Sequence, residues 1–239
     1  MDEPGGNISK DEVIIRLLQS SDSLEELTEL LHRAYKELVD MGINNMAATQ
    51  TTDTTRQRVE DGECWIAETA GRLVGAITLL PPDKTKGCWW ENQPGAAEWC
   101  QFGVDPQYRG RGIGSRLLDT AQHRAAELGA SELIGTTAVR AEHLISMYRR
   151  KGFELVGYTS WLSNIYARVV ISKDLRPPET ARSLKNRAER KIRYYASWLA
   201  CRLARTRKDE PRLWVEILRK IRPMHRLRKI GIMRSRHVN

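Results

Sequence analysis

The chain has 239 residues, of which 41% are hydrophobic and 29% charged, as in an ordinary globular protein. Its longest strongly apolar run, residues 73–80, is far shorter than the roughly 20 residues that a membrane-spanning helix needs. The N-terminus has neither the basic region nor the apolar core of a signal peptide, so we expect a cytoplasmic protein.

The four cysteines are scattered along the chain and form no C-x-x-C pair. They are Cys64, Cys88, Cys100 and Cys201. In a reducing compartment such residues act as small apolar side chains, so the sequence predicts neither a metal site nor a disulfide framework.

The net charge of +9 is unevenly distributed along the chain. Residues 1–173 carry 19 basic and 24 acidic side chains, a net charge of −5, whereas residues 174–239 carry 20 and 6, a net charge of +14. This division predicts a flexible N-terminus at 1–10, an acidic folded domain at 11–173 and a basic extension at 174–239.

Hydrophobic periodicity and capping residues predict the first elements of the domain. Residues 11–18 are typical of a strand, and residues 21–42 of an amphipathic helix with Ser and Asp at its start. A weaker helical pattern covers residues 51–63. Residues 64–70 and 72–80 then predict two strands joined as a hairpin around an Ala-Gly turn.

The second half of the domain alternates strands with helices. It follows a loop rich in Pro, Gly and Trp. The predicted strands are 96–104, 131–139, 153–159 and 165–175, and the predicted helices are 113–129 and 141–152. The resulting order, β-α-α-β-β-β-α-β-α-β-β, indicates a single mixed α+β domain without internal repeats.

The segment V-D-P-Q-Y-R-G-R-G-I-G-S, residues 104–115, joins a strand to a helix. A helix N-terminus offers free backbone N–H groups to an anion, and glycine lets a phosphate approach the backbone closely. Arg109 and Arg111 add guanidinium groups that suit phosphate oxygens. A Walker loop is excluded because Lys-Ser or Lys-Thr is missing, and a dinucleotide fingerprint fails in its spacing. A simple glycine-rich turn explains the glycines but not the arginines.

This segment resembles motif A of the GNAT superfamily of N-acetyltransferases, whose core pattern is Arg/Gln-x-x-Gly-x-Gly/Ala. The matching residues are Arg109, Gly112 and Gly114. Downstream, M-Y-R-R-K-G-F is similar to the family's Y-x-x-x-G-F, at Tyr148, Gly152 and Phe153. The resemblance covers about residues 11–173 and implies the family's fold, a mixed and mainly antiparallel sheet flanked by helices.

The resemblance also implies acetyl-CoA, or a related acyl-CoA, as the donor. In the family, backbone amides of this loop hold the CoA pyrophosphate, and the exposed edge of the preceding strand pairs with the pantetheine arm. Carried over to this chain, the CoA-binding residues are Phe102, Val104, Arg109, Gly110, Arg111, Gly112, Ile113 and Gly114. The loop is poor in side chains because the ligand is bound by backbone.

Acetyl transfer to an amine benefits from a base at the attacking nitrogen and an acid at the departing sulfur. Tyr148, by its place in Y-x-x-x-G-F, is the candidate acid; the alternative is a core tyrosine. Glu98 is the candidate base, because several family members carry a glutamate on this strand and apolar neighbours desolvate it. The alternatives are a solvated glutamate and transfer through water chains. Where the family often has Asn, seven residues before the tyrosine, this chain has Ala141, beside Arg140.

The acceptor is expected to be a primary amine that attacks the donor directly. The loop after the third strand carries Trp89 and Trp90 together with Asp83 and Glu91. Aromatic faces and carboxylates suit a cationic amine, as does the acidic domain. Packing of the tryptophans within a long loop is an equally open interpretation.

The basic extension resembles no known family. Apolar residues recur every three or four positions over 178–207, which predicts an amphipathic helix with one buried face: Leu184, Ile192, Leu199 and Leu203. Docking on the domain or in a homo-oligomer is favoured, and contact with an anionic membrane or with nucleic acid stays open. The alternative function is an acyl-CoA-binding regulatory module whose tail engages such an anionic partner.

Overall fold

The computed structural model describes residues 12–85, 95–159 and 168–176, which form a seven-stranded sheet with helices on both faces. The strands are β1 (Ile14–Leu17), β2 (Glu63–Thr69), β3 (Arg72–Leu80), β4 (Ala96–Val104), β5 (Glu132–Ala138), β6 (Glu154–Thr159) and β7 (Arg168–Asp174). The helices are α1 (Leu24–Asp40), α2 (Thr52–Glu60), α3 (Ile113–Glu127) and α4 (Glu142–Arg150). The predicted element order is confirmed. Within the same ranges, no helix combines the length and the hydropathy that crossing a membrane requires.

The long helix α1 follows directly from its sequence. Ser23 caps it, because the side-chain oxygen accepts a hydrogen bond from the backbone N–H of Glu26 at 3.1 Å. Leucines at helical spacing then form one fully buried stripe: Leu27, Leu30 and Leu31. This stripe packs against side chains of β2 and β3, so α1 covers one face of the sheet.

The strand order is β1-β2-β3-β4-β5-β7-β6, and every neighbouring pair is antiparallel except β4 and β5. Helices α1 and α2 pack on one face of this sheet, here called the α1/α2 face. Helices α3 and α4 bury their apolar sides against the other face, the α3/α4 face. The sheet therefore packs against α1 and α2 on one face and against α3 and α4 on the other.

Several expectations fall outside the described residues. These are the N-terminus at 1–10, the tail helix at 178–207, and the loop residues Trp89, Trp90 and Glu91. The last strand, β7, runs to Asp174, so it takes in the first residue of the expected basic extension.

Candidate active site

The sheet forks between its two central parallel strands. Strands β4 and β5 pair only where they begin, and the last pair joins Glu98 to Ile134. Beyond that point β4 continues beside β3, whereas β5 continues beside β7. Among the described residues, the β5-facing edge of β4 therefore has no strand partner over Phe102 and Val104, the edge that the sequence predicts to be exposed.

A bulge bends β4 as it leaves the fork. Ala76 of β3 opposes Gly103 and Thr78 opposes Cys100, so two residues of β4 face one residue of β3. Gln101, within the bulge, has a φ of 49°, which is uncommon for a residue other than glycine. Its side-chain carbonyl accepts a 2.9 Å hydrogen bond from the Thr78 hydroxyl, which fixes the buried amide on the α1/α2 face.

A cavity of about 780 Å³ fills the fork. All of the sequence-predicted site residues except Arg111 line it: Glu98, Phe102, Val104, Arg109, Gly110, Gly112, Ile113, Gly114 and Tyr148. The fold thus brings together candidates that are separated by up to 50 positions in the sequence. Arg111 instead lies over the ring of Tyr108, with its guanidinium carbon 5.3 Å from the ring centroid.

The loop between β4 and α3 is anchored by Asp105, whose side chain is buried. The carboxylate accepts a 2.9 Å hydrogen bond from Nε of Arg33 and a 3.1 Å bond from the backbone N–H of Gln107. Nη2 of Arg72 lies 3.5 Å from the same carboxylate. One aspartate therefore joins the loop to α1 and to β3, which holds the following glycines in place.

Two glycines give this loop its shape. Gly110 and Gly112 have φ values of 78° and 75°, in the left-handed region that glycine adopts without strain. Gly112 is the N-cap of α3 and supplies no side-chain cap, so the first N–H groups of the helix lack the partner that a capping side chain gives. The free donors and the helix dipole suit a phosphate.

The side chain of Arg109 contacts α1 in this structure. Its guanidinium forms an ion pair with Glu37 and donates a 2.7 Å hydrogen bond to the backbone carbonyl of Ala34. Arg109, a motif A residue that the sequence predicts to bind CoA, therefore also connects the loop to α1. Binding of the pyrophosphate by the backbone amides stays a prediction.

Tyr148 is 6% exposed and lies on the α3/α4 face, at the side of the cavity. The ring of Trp99 packs beside it, with the two ring centroids 5.6 Å apart. Burial raises the pKa of Tyr148 above its usual value, so the hydroxyl is protonated at neutral pH. It is therefore available as a proton donor.

Trp99 occupies its position because Gly135 leaves room for it. A Cβ atom on Gly135 would lie 2.1 Å from the indole ring, far inside van der Waals contact. Neither residue was expected in the site from the sequence. The one indication in the sequence is the alternation of side chains along β4, which directs Trp99 to the face of the sheet opposite to that of Glu98.

Glu98 lies at the apex of the fork and is half-buried. Because successive strand residues point to opposite faces, its side chain lies on the α1/α2 face, while Trp99 and Tyr148 lie on the other. The candidate base and the candidate acid therefore line the same cavity from opposite faces of the sheet.

Cys100 also lines the cavity, but it is not a thiolate. Burial raises the pKa of its thiol to about 12, and the nearby negative charge of Glu98 acts in the same direction. A neutral thiol is a poor nucleophile, which agrees with direct attack by the acceptor rather than a covalent intermediate.

Ala141 stands where the family often has asparagine. It is fully buried at the start of α4, in an apolar cluster with Leu38, Ile43 and Ala138. Arg140 is exposed and does not line the cavity; its Nη1 atom is 3.9 Å from where a Cβ atom on Gly42 would stand. The neighbouring arginine thus does not replace the missing amide in this structure.

Further polar residues line the cavity that sequence reasoning did not single out: Arg58, Gln101, Thr136 and Arg168. They come from α2, β4, β5 and β7, and no spacing in the sequence connects them. Asp61, at the end of α2, lines the cavity as well, so basic, acidic and neutral hydrogen-bonding groups all lie near Glu98.

The chain is similar in sequence to known acetyltransferases. The family model described as the acetyltransferase (GNAT) family matches residues 24–153. The chain is 32% identical over 164 residues to the S-(2-succino)cysteine N-acetyltransferase of Bacillus subtilis, covering 64% of this chain and 90% of that protein. It is 28% identical over 152 residues to the S-alkylcysteine N-acetyltransferase of the same organism, covering 59% and 79%.

A solved structure has the same fold. The crystal structure of a Bacillus subtilis acetyltransferase in complex with CoA superimposes with a TM-score of 0.51 at 21% identity. The match covers 69% of this chain and all of that one. It confirms the mixed sheet flanked by helices that the sequence predicts.

Proposed function

Because the chain belongs to the acetyltransferase (GNAT) family, we propose that it transfers the acetyl group of acetyl-CoA to the α-amino group of an S-substituted cysteine. The N-acetyltransferase activity follows from the family and from relatives that share it. The acceptor class is supported by the two Bacillus subtilis relatives, both of which act on S-substituted cysteines according to their names. No comparison supports the alternative of a purely regulatory acyl-CoA-binding module.

The forked sheet is the observation that carries this proposal. The exposed edge of β4 leads from the glycine loop to the apex at Glu98, and the cavity follows the same course. A pantetheine arm laid along this edge would place its thioester near Glu98 and Tyr148. The backbone N–H groups after Gly112 would hold the pyrophosphate, since they lie at the N-terminus of α3.

The residues at the apex have complementary roles in this reaction. The thioester supplies an activated acetyl group, whose C–S bond breaks as the C–N bond to the acceptor forms. Glu98 accepts a proton from the ammonium form of the acceptor, and Tyr148 donates its phenolic proton to the departing sulfur. The nitrogen loses a second proton as the amide forms. One of the two protons restores Tyr148 and the other is released, so the charges balance.

Steady-state assays of thiol release test this function. The acceptors are S-methyl-, S-benzyl- and S-(2-succino)-L-cysteine, compared with lysine-containing peptides, polyamines and aminoglycosides. We expect acetyl-CoA-dependent turnover with the S-substituted cysteines. S-benzyl-N-acetyl-L-cysteine is the matched control, because its nitrogen is already acylated and cannot accept the group. Turnover confined to peptides, polyamines or aminoglycosides, or binding of CoA without any turnover, contradicts the proposal.

A further inference from the structure

The α1/α2 side of the cavity contains two arginines whose hydrogen bonds go to neutral groups. Arg168 donates from Nη2 to the Thr136 hydroxyl, and Arg58 donates from Nη1 to the side-chain carbonyl of Gln50 at 2.8 Å. Within the described ranges, neither guanidinium lies within ion-pair distance of a carboxylate. Glu98 and Asp61 line the same cavity, but neither forms an ion pair with these arginines. A guanidinium that no carboxylate contacts favours a negatively charged ligand group.

Two N–H donors on the same side are buried without a hydrogen-bond partner in the described structure. They are Nε2 of Gln101 and Nε of Arg168, and both side chains line the cavity. Gln101 is only 3% exposed, and its carbonyl oxygen already accepts a hydrogen bond from Thr78, so the amide nitrogen is the part of the side chain that is left for a ligand. Buried donors in folded proteins are nearly always paired, since an unpaired one loses the hydrogen bonds it made to water.

The two donors lie on the same face of the sheet but on opposite walls of the fork, one wall formed by β4 and the other by β5 and β7. Gln101 belongs to the bulge of β4, whereas Arg168 lies at the start of β7, beside Ala138 of β5. Glu98, the candidate base, occupies the apex where the walls meet. In an α-amino acid the carboxylate is attached to the carbon that carries the amine. An acceptor whose amine lies at the apex can therefore place its carboxylate between these walls.

We propose that Arg168 and Gln101 bind the α-carboxylate of the acceptor and so make the enzyme selective for free amino acids over peptides and simple amines. This inference rests on the proposed function and adds the group by which the acceptor is recognised. Both nitrogens are closed off from solvent in this structure, so the two side chains turn their donors into the cavity when the ligand binds. A carboxylate has enough lone pairs to accept from both N–H groups at once. The charge of Arg168 makes its bond the stronger of the two, because hydrogen bonds between charged groups exceed neutral ones.

A substrate and variant cycle tests the subsite. Wild type and Arg168→Met are each assayed with S-benzyl-L-cysteine and with its carboxamide, which keeps the amine and the thioether but has no carboxylate. We expect Arg168→Met to lower kcat/KM about 10²-fold for the free acid and about 2-fold or less for the carboxamide. The lower basicity of the carboxamide's amine cancels in this cycle, because both enzymes receive the same two substrates.

Further variants separate recognition from folding. Gln101→Leu should lower kcat/KM about 10-fold for the acid and leave the carboxamide unaffected. Arg168→Lys should recover part of the activity on the acid, because it keeps the charge without the planar fork. Arg149→Met is the matched control, since Arg149 is an exposed arginine of α4 that does not line the cavity. It should leave both rates unchanged.

The possible outcomes test the carboxylate subsite separately from the proposed acetyltransferase function. Equal losses on acid and carboxamide in Arg168→Met and Gln101→Leu mean that these residues only support the fold. No loss on either substrate means that they do not contact the acceptor. In both cases the inference is wrong while the proposed function stands. A wild-type enzyme that acetylates none of the S-substituted cysteines overturns both proposals, whatever the variants do.

Discussion

The indole of Trp99 packs beside the ring of Tyr148, with the ring centroids 5.6 Å apart and the ring planes at 40°. The indole N–H can only donate, so it acts to lower the pKa of Tyr148 against the larger effect of burial and leaves the phenolic proton free for another acceptor. The tryptophan is thus a positioning residue for the candidate acid, and it is itself fixed by the space that Gly135 provides.

Replacing Trp99 by phenylalanine removes this N–H donor and keeps an aromatic ring in the same place. We expect kcat to fall about 5- to 10-fold, the effect of losing one neutral hydrogen bond, with little change in the Kd for acetyl-CoA. Steady-state kinetics and calorimetry give the two values. Trp65→Phe is the matched control, because the indole N–H of Trp65 is buried without a partner in the described structure and has no such bond to lose. A similar loss of kcat in the two variants would assign the effect to packing.

Replacing Tyr148 by phenylalanine removes the proposed acid and leaves the apolar packing around it. We expect kcat to fall about 10²-fold or more while the affinity for CoA is retained, as is usual when acid catalysis is lost. Rapid-quench or steady-state assays with the best S-substituted cysteine give the rate. Full activity in this variant would show that the departing sulfur obtains its proton elsewhere.

The same variant changes the alkaline stability of the protein. The pKa of Tyr148 is raised by burial, so above pH of about 10 the unfolded chain loses this proton while the folded protein keeps it. Stability is therefore unaffected below that pH and falls as pH rises beyond it. Denaturant unfolding at successive pH values should show a shallower alkaline decline for Tyr148→Phe than for wild type. Parallel curves would mean that the hydroxyl is solvated in the native state.

Replacing Gly112 by glutamate should abolish CoA binding, because it places bulk and negative charge at the phosphate site. Gly129→Glu is a close control, since both glycines have φ near 75° and a Cβ atom added at either would have no other atom within 4 Å. Each substitution costs about 1–2 kcal/mol of backbone strain, and the dipole of α3 favours a negative charge at 112 over one at 129, so Gly112→Glu should melt no lower than Gly129→Glu. Calorimetry with acetyl-CoA should then show binding only for Gly129→Glu. Undiminished affinity in Gly112→Glu would exclude this loop as the pyrophosphate site.

The elements of the fold could be predicted because their signals are local. The capped leucine stripe of α1, the Ala-Gly turn between β2 and β3, and the glycine loop before α3 each depend on residues close together in sequence. The fold class and element order are accordingly confirmed. The roles of Glu98 and Tyr148 stay predictions, although the structure brings both to one cavity.

The remaining features depend on contacts between distant parts of the chain. The left-handed Gln101 could not be predicted, because glutamine has no local preference for that conformation and the register against β3 imposes it. The ion pair of Arg109 with Glu37 joins residues 72 positions apart. Arg168 likewise enters the site only because β7 inserts between β5 and β6.

The fork also has a consequence for the order in which the two substrates bind. Strands β4 and β5 separate beyond Glu98, so the residues that the structure describes form two walls there and no strand between them. A pantetheine arm paired with the edge of β4 would take that place, and the acceptor would then contact the donor as well as the protein. Before the donor binds, the fork offers an incomplete acceptor site, so we expect compulsory-order kinetics in which acetyl-CoA enters first and CoA leaves last. Product-inhibition patterns that show random entry would mean that the walls alone are sufficient.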